Sequence, residues 1–362
     1  MERFERQMIL PELGIEGQQK LRSAKVLVVG AGGLGCPALL YLAAAGVKTI
    51  GIADGDKIEA SNLNRQILFG YNNIGKSKAS TTAKIITEKY PDIHVNAYDE
   101  FLTVENIPLI LPHYDVVVDG TDNFASRYML NDASVLFDKP LVYGAIYRFE
   151  GQVALFNAGN GSANYRDLFP QIPTFGEVAN CSEAGVLGVL PGIIGILQAT
   201  EAIKWIAGIG RPLVNKVLFC NLTNHSFYEI DLAPNEDAQK NRPTTLEDFQ
   251  KANYSADCMT VADIGWKKAL ESSTQKTSVF VDIRDPTEMP RWSSSQCLEI
   301  PYGRLAERAE LFSGETPVFL FCQHGILSRP AAVELRRILK RNSIYSITGG
   351  IEHPDSPVRL LK

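Results

Sequence analysis

At 362 residues, 45% of them hydrophobic and 21% charged, the chain has the composition of an ordinary globular protein long enough for two domains. A formal net charge of −5 with no block of lysine and arginine argues against nucleic acid as a partner. The six cysteines are scattered and form no Cys-x-x-Cys pair, which argues against a disulfide framework or a structural zinc knot.

Residues 1 to 24 read as an amphipathic helical lead-in, with Arg6-Gln7 ahead of Met8-Ile9-Leu10 and a break at Pro11. The charged start, Met1 to Arg6, lacks the apolar segment of a signal peptide. The longest apolar stretch, Val186 to Ala199, is interrupted by Pro191, glycines and Gln198. The expectation is therefore a cytoplasmic protein without a membrane partner.

Lys25 to Val29 reads as a buried parallel strand and the run from Pro37 to Gly46 as a helix, with glycines between them. Gly30, Gly32 and Gly35 keep the Gly-x-Gly-x-x-Gly spacing, and Gly33 lies inside it. Without side chains, the backbone there can approach phosphate oxygens at a helix N-terminus. A second strand, Thr49 to Ala53, ends at Asp54, where such folds place an acid on a ribose hydroxyl. An NAD-binding fold would look the same up to Asp54, so only residues beyond it can identify the nucleotide.

Ser61-Asn62-Leu63-Asn64-Arg65-Gln66 is a dense polar patch just past a strand end, on the edge of an α/β sheet that binds ligands. Gly75-Lys76-Ser77-Lys78 opens a helix reaching about Tyr90. A lysine in a first turn opposes the helix dipole unless an anion is near, so Lys78 is either a phosphate ligand or a solvated surface residue. The strand Asp115 to Asp119 leads into Thr121-Asp122-Asn123. Asp122 has the chemistry to hold Mg²⁺, to cap the helix containing Arg127, or both.

Further strands are predicted at Pro140–Ile146, Gly151–Asn157, Lys216–Leu222 and Ser226–Leu232, the later ones antiparallel, with a helix from Pro191 to Ile206. The long irregular stretch from Ala158 to Gly185 carries Cys181. These elements give an α/β first domain over residues 1–235, followed by a polar linker at 236–257.

A smaller α/β unit is predicted over residues 258–362, with strands at Ser278–Asp282, Pro317–Phe321 and Ile344–Ile347 and a helix from Pro330 to about Arg341. Cys322 ends a buried strand just before that helix, a setting that stabilises a thiolate or persulfide. A buried inert cysteine is the alternative.

The first part, about Met1 to Leu232, resembles the ubiquitin-activating-like adenylyltransferases of the MoeB/ThiF/HesA group, which serve molybdopterin and thiamine biosynthesis. The resemblance rests on Arg6-Gln7, Gly30-Ala-Gly32-Gly33-Leu-Gly35, Asp54-x-Asp56, Ser61-Asn62-Leu63-x-Arg65-Gln66, Lys78, Thr121-Asp122-Asn123, Arg127 and Cys181-x-Glu183-Ala-Gly185. The remainder is similar to a rhodanese domain through Val281-Asp282-Ile-Arg284-Asp285-Pro286, Cys322 and Gly349-Gly350-Ile351.

The resemblance implies a Rossmann-like mixed-sheet adenylation domain fused to a rhodanese domain, in a homodimer whose Arg6 crosses into the partner's site. Asn164 and Asp167 stand where such proteins often carry the first of two zinc-binding cysteine pairs, so structural zinc is not expected. Apolar Ile326 and Leu327 occupy the rhodanese loop where a basic residue is common, which argues against an anionic donor such as thiosulfate.

The implied reaction is adenylation, with ATP and Mg²⁺, of the C-terminal glycine carboxylate of a small ubiquitin-fold sulfur carrier ending in Gly-Gly. Sulfur transfer from a Cys322 persulfide, charged by a donor such as a cysteine desulfurase, would complete the reaction. Asp122 is assigned to Mg²⁺; Arg6, Arg65 and Lys78 to the phosphates; Asp54 to the ribose; Asn62 to positioning; and Cys181 to a covalent acyl intermediate or a resolving thiol. Rival readings are an NAD-dependent oxidoreductase, which leaves Asn62, Arg65, Lys78 and Asp122 unexplained as a set, and a non-catalytic carrier-binding scaffold.

Overall fold

The computed structural model describes residues 2–170, 185–240, 242–254, 263–275, 278–325, 327–339, 341 and 343–358. The chain divides into two compact units after Tyr254. Among the described residues the first holds an eight-stranded sheet in the order β3-β2-β1-β4-β5-β6-β7-β8. Its strands are β1 (Lys25–Val29), β2 (Thr49–Ala53), β3 (His94–Tyr98), β4 (Val116–Asp119), β5 (Leu141–Tyr147), β6 (Glu150–Phe156), β7 (Lys216–Asn221) and β8 (Ser226–Asp231).

From β3 to β5 neighbouring strands are parallel, and from β5 to β8 antiparallel. Alternation builds a core on each face: Val26 and Val28 join one apolar layer, Leu27 and Val29 the other. Covering both faces is what a run of consecutive aliphatics in a parallel strand requires. The chain leaves β1 for β2 on one side and returns as β4 on the other, which opens a crevice at the strands' C-terminal ends.

The helix Val189–Ala207 is longer than the sequence suggests, because Pro191 sits in its first turn, where a missing N–H is harmless. It is apolar and long enough to cross a membrane by length and composition, yet it packs on β5, β6 and helix Gly35–Ala45. Its two buried polar residues bond inside the unit, though Gln198 Oε1 has no partner among the described residues. Gln198 Nε2 donates to Asp119 O at 2.6 Å, and Glu201 Oε2 accepts from Leu213 N at 2.6 Å.

The polar stretch at 236–257 departs from the linker expected there. Helices Glu236–Gln239 and Leu246–Lys251 form within it, and Phe249 and Tyr254 bury in the first unit's core. Tyr254 Oη donates to Asp132 Oδ2 at 2.9 Å; Asp132 is fully buried and also holds Arg166 through bonds of 2.8 and 2.7 Å. Two aromatic anchors in a polar segment suffice to dock it. Residues 255–257 lie outside the described residues.

Asn164 and Asp167, which replace the expected cysteine pair, form a reciprocal cap on helix Tyr165–Leu168. Asp167 Oδ1 also accepts from Asn235 N at 2.7 Å, a hydrogen bond that ties the segment after β8 to this helix.

Among the described residues the second unit holds a five-stranded parallel sheet in the order β11-β10-β12-β13-β9. Its strands are β9 (Asp263–Ile264), β10 (Val279–Asp282), β11 (Cys297–Glu299), β12 (Val318–Phe321) and β13 (Ile344–Ile347). Apolar clusters lie on both faces, one around Leu320 and Leu335 and the other around Trp266, Phe280 and Phe319. Helix Ser328–Leu339 comes after β12, across the Cys322 loop.

Candidate functional site

The loops at the C-terminal ends of β1, β2 and β4 enclose a cavity of about 580 Å³, within the usual size of a ligand site, roughly 300–1,000 Å³. Gly30, Gly32 and Gly33 line one wall. Gly30 has φ +91°, and a Cβ there would lie 2.7 Å from Gly120 O of the neighbouring loop. Gly35 does not line the cavity: a side chain on it would strike Gly30 O, so it serves the close approach of helix to loop.

Asp54 is 7% exposed and holds the loop in shape. Its Oδ2 accepts from Ala31 N at 2.7 Å and its Oδ1 from Asp56 N at 2.8 Å. Each oxygen keeps a lone pair for a further donor. Burial pushes its carboxyl above the usual range, opposed by the Asp56 and Ala31 N–H bonds and the nearby Lys78 charge.

Lys78 opens helix Lys78–Lys89 beside this wall, its side chain 8% exposed and its Nζ 2.8 Å from Asp56 Oδ2. The anion near this first-turn lysine is thus Asp56. The helix cap is supplied separately, by Ser77 accepting from Ser80 N, with Asp99 Oδ1 accepting from the same N–H at 3.0 Å. Arg65 lines the cavity with Nη1 donating to Ser61 O and Asn64 Oδ1, both at 3.0 Å.

Asn62, expected to position substrate, is absent from the lining. It is 9% exposed, and its Oδ1 accepts from Glu59 N at 3.2 Å to close a single 3-10 turn. Asn64 and Gln66, from the same patch, line the cavity instead. Gln66 is 4% exposed with its Oε1 unpaired among the described residues.

Thr121, Asp122 and Asn123 line the cavity past β4. Asn123, not Asp122, caps helix Phe124–Leu136, accepting from Ser126 N at 2.9 Å. Asp122 is left exposed on the wall. The turn itself is set by Asp119, a residue to which the sequence assigned no role. Buried Asp119 accepts from Thr121 N at 2.9 Å and Thr121 Oγ1 at 2.7 Å, while Arg127 Nη2 donates to Thr121 O at 3.1 Å. The signal was an acid ending an all-valine strand; burial raises its pKa and the Arg127 charge lowers it.

Arg6 lies in the short helix Glu5–Met8, exposed and not among the residues lining the cavity. Cys181 lies outside the described residues. Asp122, which lines the same cavity as Lys78 and Arg65, suits Mg²⁺ carried on phosphate oxygens, which needs only one or two protein carboxylates. The described residues contain no group of three or more metal-ligating side chains, so they offer no all-protein cage.

In the second unit Cys322 comes just after β12 and is 3% exposed, its Sγ 3.8 Å from Ser328 Oγ. The N–H groups of Gln323, His324 and Gly325 have no hydrogen-bond partner among the described residues. The Gly349–Gly350 turn backs the loop: both glycines have positive φ, and a side chain on Gly350 would meet Cys322 O. Leu327 is 51% exposed, and Ile326 lies outside the described residues. Asp282, fully buried, takes Arg284 Nη2 at 2.6 Å and Arg291 Nη1 at 2.9 Å.

Residues 4–241 match the ThiF family. Over 96% of its length the chain is 37% identical to a probable adenylyltransferase/sulfurtransferase MoeZ of Mycobacterium tuberculosis, covering 91% of that protein. It is 35% identical to an adenylyltransferase and sulfurtransferase MOCS3 of Drosophila sechellia, covering 96% of this chain and 82% of the relative. A sulfur carrier protein adenylyltransferase of Thermus thermophilus is 48% identical over 65% of this chain and 88% of its own. Among solved structures, E. coli MccB superposes with a TM-score of 0.57 at 20% identity, over 64% of this chain and 70% of that one, a likeness of fold.

Proposed function

Because this chain belongs to the ThiF family, we propose that it adenylates the C-terminal glycine carboxylate of a small ubiquitin-fold sulfur carrier with ATP, then replaces the adenylate by sulfur. The observation that carries this reading is the convergence of the glycine loop, Asp54, Arg65, Lys78 and Asp122 on one cavity. Support for the second step comes from relatives with both activities in their names that match 96% of the chain.

A carboxylate is already ionised at neutral pH, so the first step needs no general base. The work is to hold it in line with the α-phosphate while charge is screened. Lys78 and Arg65 bind phosphate oxygens, Asp54 accepts from the ribose, and Phe101, Leu102 and Met129 give the base an apolar wall. Asp122 holds Mg²⁺, which when bound screens the phosphate charges. Arg6 of a second copy completes the phosphate site in a homodimer. The products are the acyl-adenylate and pyrophosphate.

In the second step the terminal sulfur of a Cys322 persulfide attacks the acyl carbon. A C–S bond forms as the C–O bond breaks, and AMP leaves with the electron pair. A second thiolate, from Cys181 or an external dithiol, then attacks the Cys322 sulfur and expels the thiocarboxylate. The remaining disulfide is reduced by a dithiol. The persulfide itself comes from a protein donor such as a cysteine desulfurase, and the setting is cytoplasmic.

Replacing Cys322 by Ala should leave carrier-dependent ATP–pyrophosphate exchange intact and abolish thiocarboxylate formation. Loss of exchange in that variant would refute the division of labour.

A further inference from the structure

Gln323, the residue after Cys322, is gripped on both sides. Its Oε1 accepts from Arg284 Nη1 at 3.2 Å, and its Nε2 donates to Glu352 Oε1 at 2.6 Å. The main chain is held from the same side: Ile351 N donates to Cys322 O at 3.0 Å and Glu352 N to Gln323 O at 3.2 Å. Arg284 is itself immobilised, donating to Asp282 through Nε at 2.9 Å and Nη2 at 2.6 Å, and to Pro290 O at 2.7 Å. The first loop residue is therefore suspended between a buried ion pair and the turn after β13.

We propose that Gln323 is a positioning residue for sulfur transfer, clamping the loop that surrounds the Cys322 sulfur between Arg284 and Glu352. This rests on the sulfurtransferase reading of the second unit. The loop N–H groups of Gln323, His324 and Gly325 lack protein partners among the described residues. They can stabilise a sulfur anion only if the backbone carrying them stays in place, and that requirement falls on the clamp.

Chemistry dictates an amide at this position. An arginine offers only donors and a carboxylate only acceptors, so the side chain between them must accept at one end and donate at the other. A glutamate would repel Glu352, a lysine would repel Arg284, and an alanine would bind neither.

The test uses the full chain with Gln323→Ala, Gln323→Glu and the double variant Gln323→Glu/Glu352→Gln, in which carboxylate and amide exchange places. Single-turnover sulfur transfer from the persulfidated protein, its kcat and carrier KM, and ATP–pyrophosphate exchange are measured for each. Both single variants should lose about 10- to 100-fold in kcat for sulfur transfer, with carrier KM and exchange unchanged. The double variant should recover most of the loss, because it keeps an acceptor for Arg284 and restores the bond between the two side chains.

A wild-type rate in Gln323→Ala, or no recovery in the double variant, overturns the proposal. Cys322→Ala, assayed alongside, separates the two failures: sulfur transfer surviving in it would sink the sulfurtransferase reading and this inference with it.

Discussion

Lys78→Ala separates a ligand-binding lysine from a structural one, because the partner it would abandon is solvated. Asp56 is 54% exposed at its side chain, so breaking the 2.8 Å pair leaves a carboxylate that water can satisfy. Pairs of this kind contribute about 0–1 kcal/mol, so the cost to the fold is small. A charge-assisted bond from the Lys78 ammonium to a phosphate, by contrast, contributes about 1.5–3 kcal/mol. At about 1.36 kcal/mol per decade, its loss lowers kcat/KM for ATP by about 10- to 150-fold. The assay is carrier-dependent ATP–pyrophosphate exchange, with thermal melting of the same preparation as control. Exchange unchanged, or melting that collapses in parallel with activity, would refute the assignment.

Buried groups give two more expected outcomes. Asp132→Ala strands the Arg166 guanidinium, whose side chain is 6% exposed, inside the first unit and removes the acceptor for Tyr254. Breaking such a pair costs about 3–5 kcal/mol, a fall of about 6–20 °C in melting temperature for a unit this size; a shift under about 2 °C in a melting scan would show the pair to be incidental. Burial pushes the Cys36 thiol up to about 12, and partial burial together with the nearby Asp282 and Glu299 carboxylates does the same to half-buried Cys297. At pH 8 they should alkylate about 10³-fold more slowly than a free cysteine with pKa near 8.5. Because only the thiolate reacts, their rates should climb about tenfold per pH unit from 7 to 9, while an ordinary thiol levels off. Peptide mapping after iodoacetamide pulses reads both, and rapid labelling of either cysteine at pH 8 would contradict the burial.

The cavity was largely legible because a parallel sheet sends every βα loop to one edge. Locating the strands ending at Val29, Ala53 and Asp119 was enough to bring Gly32, Asp54 and Asp122 together. Single-residue choices within a loop were not legible. Asn62 and Asn64 are chemically identical, and the 3-10 turn at Ala60–Asn62 folds the first onto Glu59 while Asn64 reaches the cavity. The edge strand β3, His94-Val-Asn-Ala-Tyr98, was missed because, although Val95 and Ala97 alternate with His94 and Asn96, the run is short and weakly apolar and none of its residues is fully buried. The docking of 236–254 was hidden for a related reason: its composition is polar and its contact rests on Phe249 and Tyr254.

The partners of each cation separate frame from function more sharply than burial does. Arg166 and Arg284 are buried against the fully buried carboxylates Asp132 and Asp282, each through two of its nitrogens. A guanidinium held this way has most of its fork filled, so it can orient neighbours but has few donors left for a ligand. Lys78 is nearly as buried, yet its one carboxylate partner is half in water, and Arg65 donates to a carbonyl and an amide oxygen. Arg65 has no carboxylate partner among the described residues and Lys78 shares its charge only with half-exposed Asp56, so an incoming polyphosphate gains more on this wall than it would from a saturated ion pair. Desolvating Lys78 beside a single half-exposed carboxylate costs the fold some stability, and an anionic ligand offsets that cost. The same reasoning places Arg284 in the frame of the second unit: it acts on Cys322 through Gln323, so its removal should disturb the loop's geometry before the chemistry of the sulfur.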